Sequence, residues 1–228
     1  MTCPHCRGAQ KVFGRRVARM ESGRYRRKGL RGTTRALVEG LAGAGTPGRT
    51  LLDVGAGIGM VQLALFERGL ARATHVDAST DYLDVARRVA SDAGVEDRIA
   101  YRFGDVVELA PDLRVHDLVS LDRVVCCYPF PDRLLSATAS RAGVRLGLVW
   151  PLDRWWVRIG TRVVNAWLWI RRNPFRVFVH PDAVVDGTLR SAGLERLHHA
   201  RQGIWQVAIW GRGGSEEDHT AVDTAVVG

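Results

Sequence analysis

The chain has 228 residues, enough for one α/β domain with a short appendage, and its 46% hydrophobic and 25% charged residues exclude a disordered, fibrous or low-complexity protein. A formal net charge of +9 raises a nucleic-acid reading, but all but two of the 33 basic residues are arginine, and an arginine excess alone names no partner. Cys3, Cys6, Cys126 and Cys127 make no disulfide framework, no apolar leader opens the chain, and its longest apolar segment is interrupted by Arg158 and Arg162, so a soluble protein of the reducing cytoplasm with no transmembrane segment is expected.

In chain order, a Cys-bearing tip leads into a largely helical stretch over 12–42, whose basic run contains Glu21 as its one acid before Glu39. Residues 1–48 read as a basic helical arm. The Gly- and Pro-rich loop 43–48 precedes a buried strand at 50–54, where the main domain, 49–211, begins. There follow a helix at 59–69, a strand at 73–77, a helix at 80–93 and strands at 99–103 and 116–121. A helix at 131–142 and a strand at 144–150 complete the alternation. An amphipathic helix, 153–172, stopped by Asn173-Pro174, reads as a lid insertion. Helix 181–192 precedes strands 194–199 and 204–210, joined by the turn 200–203, and 212–228 reads as a disordered tail. The pattern predicts an α/β fold: a doubly wound, mostly parallel seven-stranded Rossmann-like sheet with an antiparallel C-terminal hairpin and helical lid elements.

Asp53-Val54-Gly55-Ala56-Gly57-Ile58-Gly59 lies at the first strand-to-helix junction, where glycines let the backbone turn tightly and approach a ligand that a Cβ would block. The dinucleotide fingerprint needs Gly or Ala at its sixth position, and counting from Gly55 that position is Met60, which disfavours a nicotinamide cofactor. The spacing instead resembles the first motif of class I S-adenosylmethionine-dependent methyltransferases. That resemblance implies S-adenosylmethionine as cofactor, admitted by Asp53, Gly55, Gly57 and Gly59. It further implies that Asp77, with Ala78 and Ser79, holds the ribose, that Gly104, Asp105 and Val106 meet the adenine, and that Leu121 and Asp122 pass beneath the methionine end.

A narrower resemblance rests on Tyr25-Arg26-Arg27-Lys28-Gly29, Thr33-Thr34-Arg35, the segment Leu121 to Pro129 and the segment Phe175 to Pro181. These look like a bacterial group related to magnesium-protoporphyrin O-methyltransferase. The group implies a small-molecule acceptor, methylated on a carboxylate or hydroxyl of a flat apolar body such as a porphyrin; with no RNA-binding appendage and no Asn-Pro-Pro-Tyr-type motif after the fourth strand, where Leu121 to Pro129 stands, no nucleic-acid partner is expected. The rival readings are an RNA or protein methyltransferase, raised by the charge, and a non-catalytic protein that keeps the nucleotide pocket.

Asp122, Arg123 and Tyr128 fall in the loop that closes over the reactive centre in this fold, and Asp122 and Tyr128 are candidate bases. His180 is a third, since its ordinary pKa is near neutral, set against a hydrogen-bonded role at a helix entrance. A sulfonium donor is already activated, so a dedicated base is optional. Cys3-Pro4-His5-Cys6 has the spacing of half a zinc site with no second pair, and no metal is expected; Cys126 and Cys127 read as pocket lining. Thr33 and Thr34 are candidate acceptor contacts. Arg154, Arg158 and Arg162 form a stripe beside Trp155, Trp156, Ile159, Val163, Trp167 and Ile170. That helix suits a substrate lid, with a weak contact to an anionic membrane surface or ordinary core packing as the alternatives.

Overall fold

The computed structural model describes residues 8, 10 and 12–213. Its sheet contains β1 (Thr50–Val54), β2 (Arg72–Asp77), β3 (Ile99–Phe103), β4 (His116–Asp122), β5 (Ala142–Pro151), β6 (Leu194–Gln202) and β7 (Trp205–Arg212). They lie in the order β3-β2-β1-β4-β5-β7-β6; the first five are parallel, and β7 is antiparallel to both of its neighbours. β1 and β4 are almost continuously buried, as strands covered on both faces must be. β6 closes one edge with Glu195, Arg196, His198 and Arg201, polar residues that discourage further strand pairing.

Eight helices are described: α1 (Arg15–Lys28), α2 (Gly32–Ala42), α3 (Met60–Phe66), α4 (Thr80–Asp92), α5 (Val106–Leu109), α6 (Pro131–Ala139), α7 (Trp155–Ile170) and α8 (Asp182–Ser191). Strand alternation sends Leu51 to one face and Leu52 to the other. Leu51 joins Leu37 and Leu41 of α2, Leu65 of α3 and Val85 of α4, while Leu52 joins Leu134 of α6 and Val185 and Leu189 of α8. Each of these buried side chains contributes roughly 1.5–3 kcal/mol through removal from water. Trp150, fully buried on β5, donates its indole N–H to Asp182 Oδ1 at 3.1 Å, and Gln206 of β7 donates to the same oxygen at 2.7 Å, so one carboxylate ties β5, β7 and α8 together.

The sheet is therefore the seven-stranded, mostly parallel one expected, with an antiparallel C-terminal hairpin. Differences are local. The helix expected over 12–42 is two helices, because α1 ends at Gly29 and α2 starts only after Arg31. The hairpin loop is the two residues Gly203-Ile204, since Gln202 still pairs with Trp205, a tighter turn than 200–203. β7 runs through Arg212, whereas 214–228, with Cys3 and Cys6, lie outside the described residues. α7 buries only Val157 and Leu168, so ordinary core packing does not describe it. Among the described residues no helix is long and apolar enough to cross a membrane.

Candidate active site

The strand order reverses between β1 and β4, and a crevice opens at the carboxyl ends of the parallel strands, the general ligand position of open α/β sheets. A cavity of about 710 Å³ lies there. Its floor is the loop after β1. Gly57 has φ 57°, and its N–H donates to Asp77 Oδ2 at 2.9 Å. Asp77, ending β2, takes a second bond from the Ser79 N–H at 2.8 Å. One carboxylate thus fixes the loop and the start of α4 together. Burial raises the Asp77 pKa to about 6, against the opposing pull of those two N–H groups. Asp53 is almost fully buried: Oδ1 accepts from Ser120 Oγ at 2.6 Å, and Oδ2 has no partner among the described residues. Burial raises its pKa to about 7.

Asp105 caps α5 by accepting from the Val107 N–H at 2.9 Å, and its other oxygen accepts from the Tyr128 hydroxyl, also at 2.9 Å. Tyr128 therefore reaches from the β4 loop to the end of β3. Asp122, ending β4, accepts from Thr34 Oγ1 at 2.7 Å and pairs with Arg123 Nε at 3.1 Å. Arg123 also donates to Thr34 at 2.6 Å, and its guanidinium carbon lies 5.9 Å from the Trp205 ring centre. Its φ of 61° is a left-handed conformation that costs a non-glycine residue energy and that clusters at functional sites. Cys126 and Cys127 occupy a 3-10 turn, not a strand. Their Sγ atoms stand 3.8 Å apart, and both line the cavity.

His180 is placed away from these groups. It is buried outside the cavity lining with Nε2 against the carbonyls of Tyr128 (2.9 Å) and Val125 (3.1 Å), which requires the Nε2–H form, and burial lowers its pKa. That places it as a brace of the β4 loop, the helix-entrance role, and not as a base facing the cavity. Asp53, Gly55, Gly57, Asp77, Ala78, Gly104, Asp105, Val106, Asp122 and Tyr128 all line the cavity; Gly59, Ser79 and Leu121 do not. Gly59 begins α3 behind the loop, Ser79 Oγ bonds the Phe13 carbonyl at 2.7 Å, and Leu121 is in the core. Thr33 is buried within α2.

Glu21 was not singled out from sequence, yet it lines the cavity, and burial raises its pKa. It gets there because α1 docks on α4: Arg15 pairs with Asp81 and Asp84, and Arg26 with Asp92, across 66 to 69 positions of sequence.

Five carboxyls line the cavity (Glu21, Asp53, Asp77, Asp105 and Asp122) against one guanidinium, Arg123, although the whole chain is strongly basic. Such a site opposes a phosphate-bearing nucleotide and suits a ligand with cationic centres, as S-adenosylmethionine has in its sulfonium and ammonium. The left-handed Gly57, whose Cβ position meets only the Tyr82 ring at 3.4 Å, and the Asp77 carboxylate that holds its N–H fit that molecule. Asp77 would hold its ribose and Asp105 its adenine. Among the described residues no group of side chains has the makings of a metal site.

A pH dependence follows. Protonating Asp77 or Asp53 removes negative charge and acceptor capacity, so affinity for S-adenosylmethionine should rise at least tenfold per unit below about pH 6, more slowly from there to about 7, and level off above it. Calorimetry at pH 5, 6 and 7 checks this, and a flat profile contradicts it. In the ligand-free protein the sign is opposite. The folded state holds these protons above the ordinary carboxylate range, so their contribution to stability declines as pH rises towards about 7.

Residues 51–142 match a family model described as a methyltransferase domain. The ribosomal protein L11 methyltransferase of Sorangium cellulosum (strain So ce56) is 35% identical over 105 residues, 45% of this chain; the chain spans about a third (33%) of the length of that relative. Among solved structures, magnesium protoporphyrin IX methyltransferase from Synechocystis PCC 6803 with bound SAH aligns with TM-score 0.66 and 18% identity, covering 79% of this chain and 82% of that one. An O-methyltransferase family protein from Burkholderia thailandensis aligns with TM-score 0.67 and 16% identity over 92% of this chain and 63% of that one. At these identities the structural likenesses speak for the fold, and the family match speaks for residues 51–142. From β1 to the start of β5 the chain thus matches a methyltransferase domain, and the whole sheet shares the fold of solved methyltransferases.

Proposed function

We propose that this protein transfers a methyl group from S-adenosylmethionine to a carboxylate or hydroxyl of a small, largely apolar acceptor. The observation that carries the reading is one continuous cavity. It joins the Gly55–Gly57 loop to an apolar chamber beneath Phe13 of the arm and Trp156, Val157 and Val164 of α7. Its volume of about 710 Å³ falls inside the range of about 300–1,000 Å³ usual for small-molecule sites.

Bound there, S-adenosylmethionine supplies a methyl group on a positively charged leaving group. The chain's own residues hold, align and exclude water. Asp77 and the loop it fixes set the donor's position. Arg123, held by Asp122 and Thr34, offers the cavity's one cation to an acceptor carboxylate. Tyr128 donates its proton to Asp105, and Asp122 is already paired, so neither is a free base. A carboxylate acceptor needs none. For a hydroxyl acceptor, Glu21 lines the same cavity, and its raised pKa suits it to take the proton. A flat acceptor such as a porphyrin carboxylate fits this arrangement, supported by the sequence resemblance and by the Synechocystis neighbour.

The test uses S-adenosylmethionine labelled on its methyl group and offered with tetrapyrrole carboxylic acids, hydroxylated aromatic metabolites, total RNA and ribosomal protein. Label should enter a small molecule. Release as methanol in mild alkali identifies an ester, and stability identifies an ether. Arg123→Gln should raise the KM for a carboxylate acceptor about tenfold or more. Label in RNA or protein alone, or cofactor binding with no transfer to any acceptor, would reject the small-molecule reading.

A further inference from the structure

Helix α7 wears its amphipathicity inside out. Its inward side carries the buried Val157 and Leu168, together with Thr161 and Asn165. Thr161 donates to the Val157 carbonyl, and Asn165 clamps the Val177 backbone, donating to its carbonyl and accepting from its N–H, both at 2.8 Å. At 100° per residue, the opposite arc carries Trp155, Trp156, Ile159, Val163, Trp167 and Ile170 with no polar side chain among them. These residues face outward: Trp155 is 73% exposed, Val163 65%, Trp167 52% and Ile170 71%. Among the described residues nothing covers this face.

Charge says what does. From Arg154 to Pro181 the sequence contains six arginines and no acidic residue. Arg162 and Arg158, the latter paired with Asp153 at 2.7 Å, lie on one shoulder of the apolar arc and Arg171 on the other, its guanidinium carbon 4.5 Å from the Trp167 ring centre. A second copy docked face to face would bring like charges together. A surface of phosphates over hydrocarbon would satisfy both the arginines and the apolar arc, and tryptophan favours that boundary. The helix, about 24 Å long at 1.5 Å per residue, is too short to span a bilayer and suited to lie along one.

We propose that α7 docks the protein on an anionic phospholipid surface, its tryptophans and isoleucines at the headgroup–acyl boundary and its arginines on lipid phosphates. Trp156, Gly160 and Val164 also line the cavity, so docking sets the cavity beside the bilayer, the source of a poorly water-soluble acceptor. That consequence rests on the methyl-transfer reading; the docking does not.

The test is co-sedimentation of the full chain, without cofactor, with phosphatidylcholine vesicles containing or lacking phosphatidylglycerol, read alongside tryptophan emission and quenching by brominated lipid. Binding should be at least tenfold tighter to the anionic vesicles, weaken with salt, and shift tryptophan emission to the blue. Trp155→Ser/Ile159→Ser/Ile170→Ser should lose at least tenfold in partitioning. Arg154→Gln and Arg162→Gln should each lose about fivefold. All these positions are exposed, so both the melting temperature and a separate lipid-free cofactor titration report that the variants are folded. No binding to anionic vesicles, or equal binding to neutral ones, would overturn the proposal. So would a stable dimer that the triple variant dissociates in the absence of any vesicle binding.

Discussion

Asp77→Ala should weaken S-adenosylmethionine binding at least 100-fold while leaving the far-ultraviolet circular dichroism unchanged. The carboxylate fixes the loop by accepting from the N–H groups of Gly57 and Ser79, and in the proposed reading it also accepts from the ribose. Hydrogen bonds to a charged group contribute roughly 1.5–3 kcal/mol each, so losing two accounts for a factor of 100 or more. The fold survives because removing a carboxylate whose burial lifts its pKa to about 6 also removes an unfavourable buried charge, which offsets the two unpaired N–H groups. Asp77→Asn keeps one acceptor oxygen and should fall between wild type and alanine. Equal affinity in all three proteins would place the cofactor elsewhere.

Gly57→Val should be as damaging to binding and for a different reason. A Cβ at Gly57 meets only ring carbons of Tyr82 at 3.4 Å, an ordinary contact, so the fold has room for it. The left-handed φ of 57° costs a β-branched residue about 1–2 kcal/mol or more, which lowers the melting temperature by several degrees at this chain length. The methyl groups then stand in the cavity floor where the cofactor must lie. Binding lost in a protein that still melts cooperatively is the expected result. Gly55 is the poorer place for this test, because a Cβ there would stand 2.5 Å from Val124 Cγ2 and disturb the β4 loop itself.

The parts legible in the sequence are those that local chemistry dictates. Thr50–Val54 and Ile99–Phe103 read as strands to the residue, because short apolar runs bounded by turn formers have few other uses. The acids at the strand ends follow from the same logic, since a parallel sheet delivers every carboxyl end to one crevice. The hidden parts depend on contacts distant in sequence. Glu21 sits in a basic run that reads as a solvated helix face, and it meets the cavity because α1 packs Ala18 into the core, Phe13 docks on Ser79 and Tyr82, and Arg15 and Arg26 pair with α4. Tyr128 crosses to Asp105, a choice of direction that no spacing encodes. His180 has the same sequence signature whether it faces a cavity or two carbonyls. The periodicity of α7 shows an apolar stripe but not which way the stripe points.

Titration of the wild-type protein with S-adenosylmethionine by calorimetry at pH 7.5 reaches furthest into this reading, because the ribose, adenine and acceptor assignments all depend on one pocket. A single site with micromolar affinity, lost in Asp77→Ala, is the predicted outcome. No heat and no saturable binding at millimolar cofactor would contradict it.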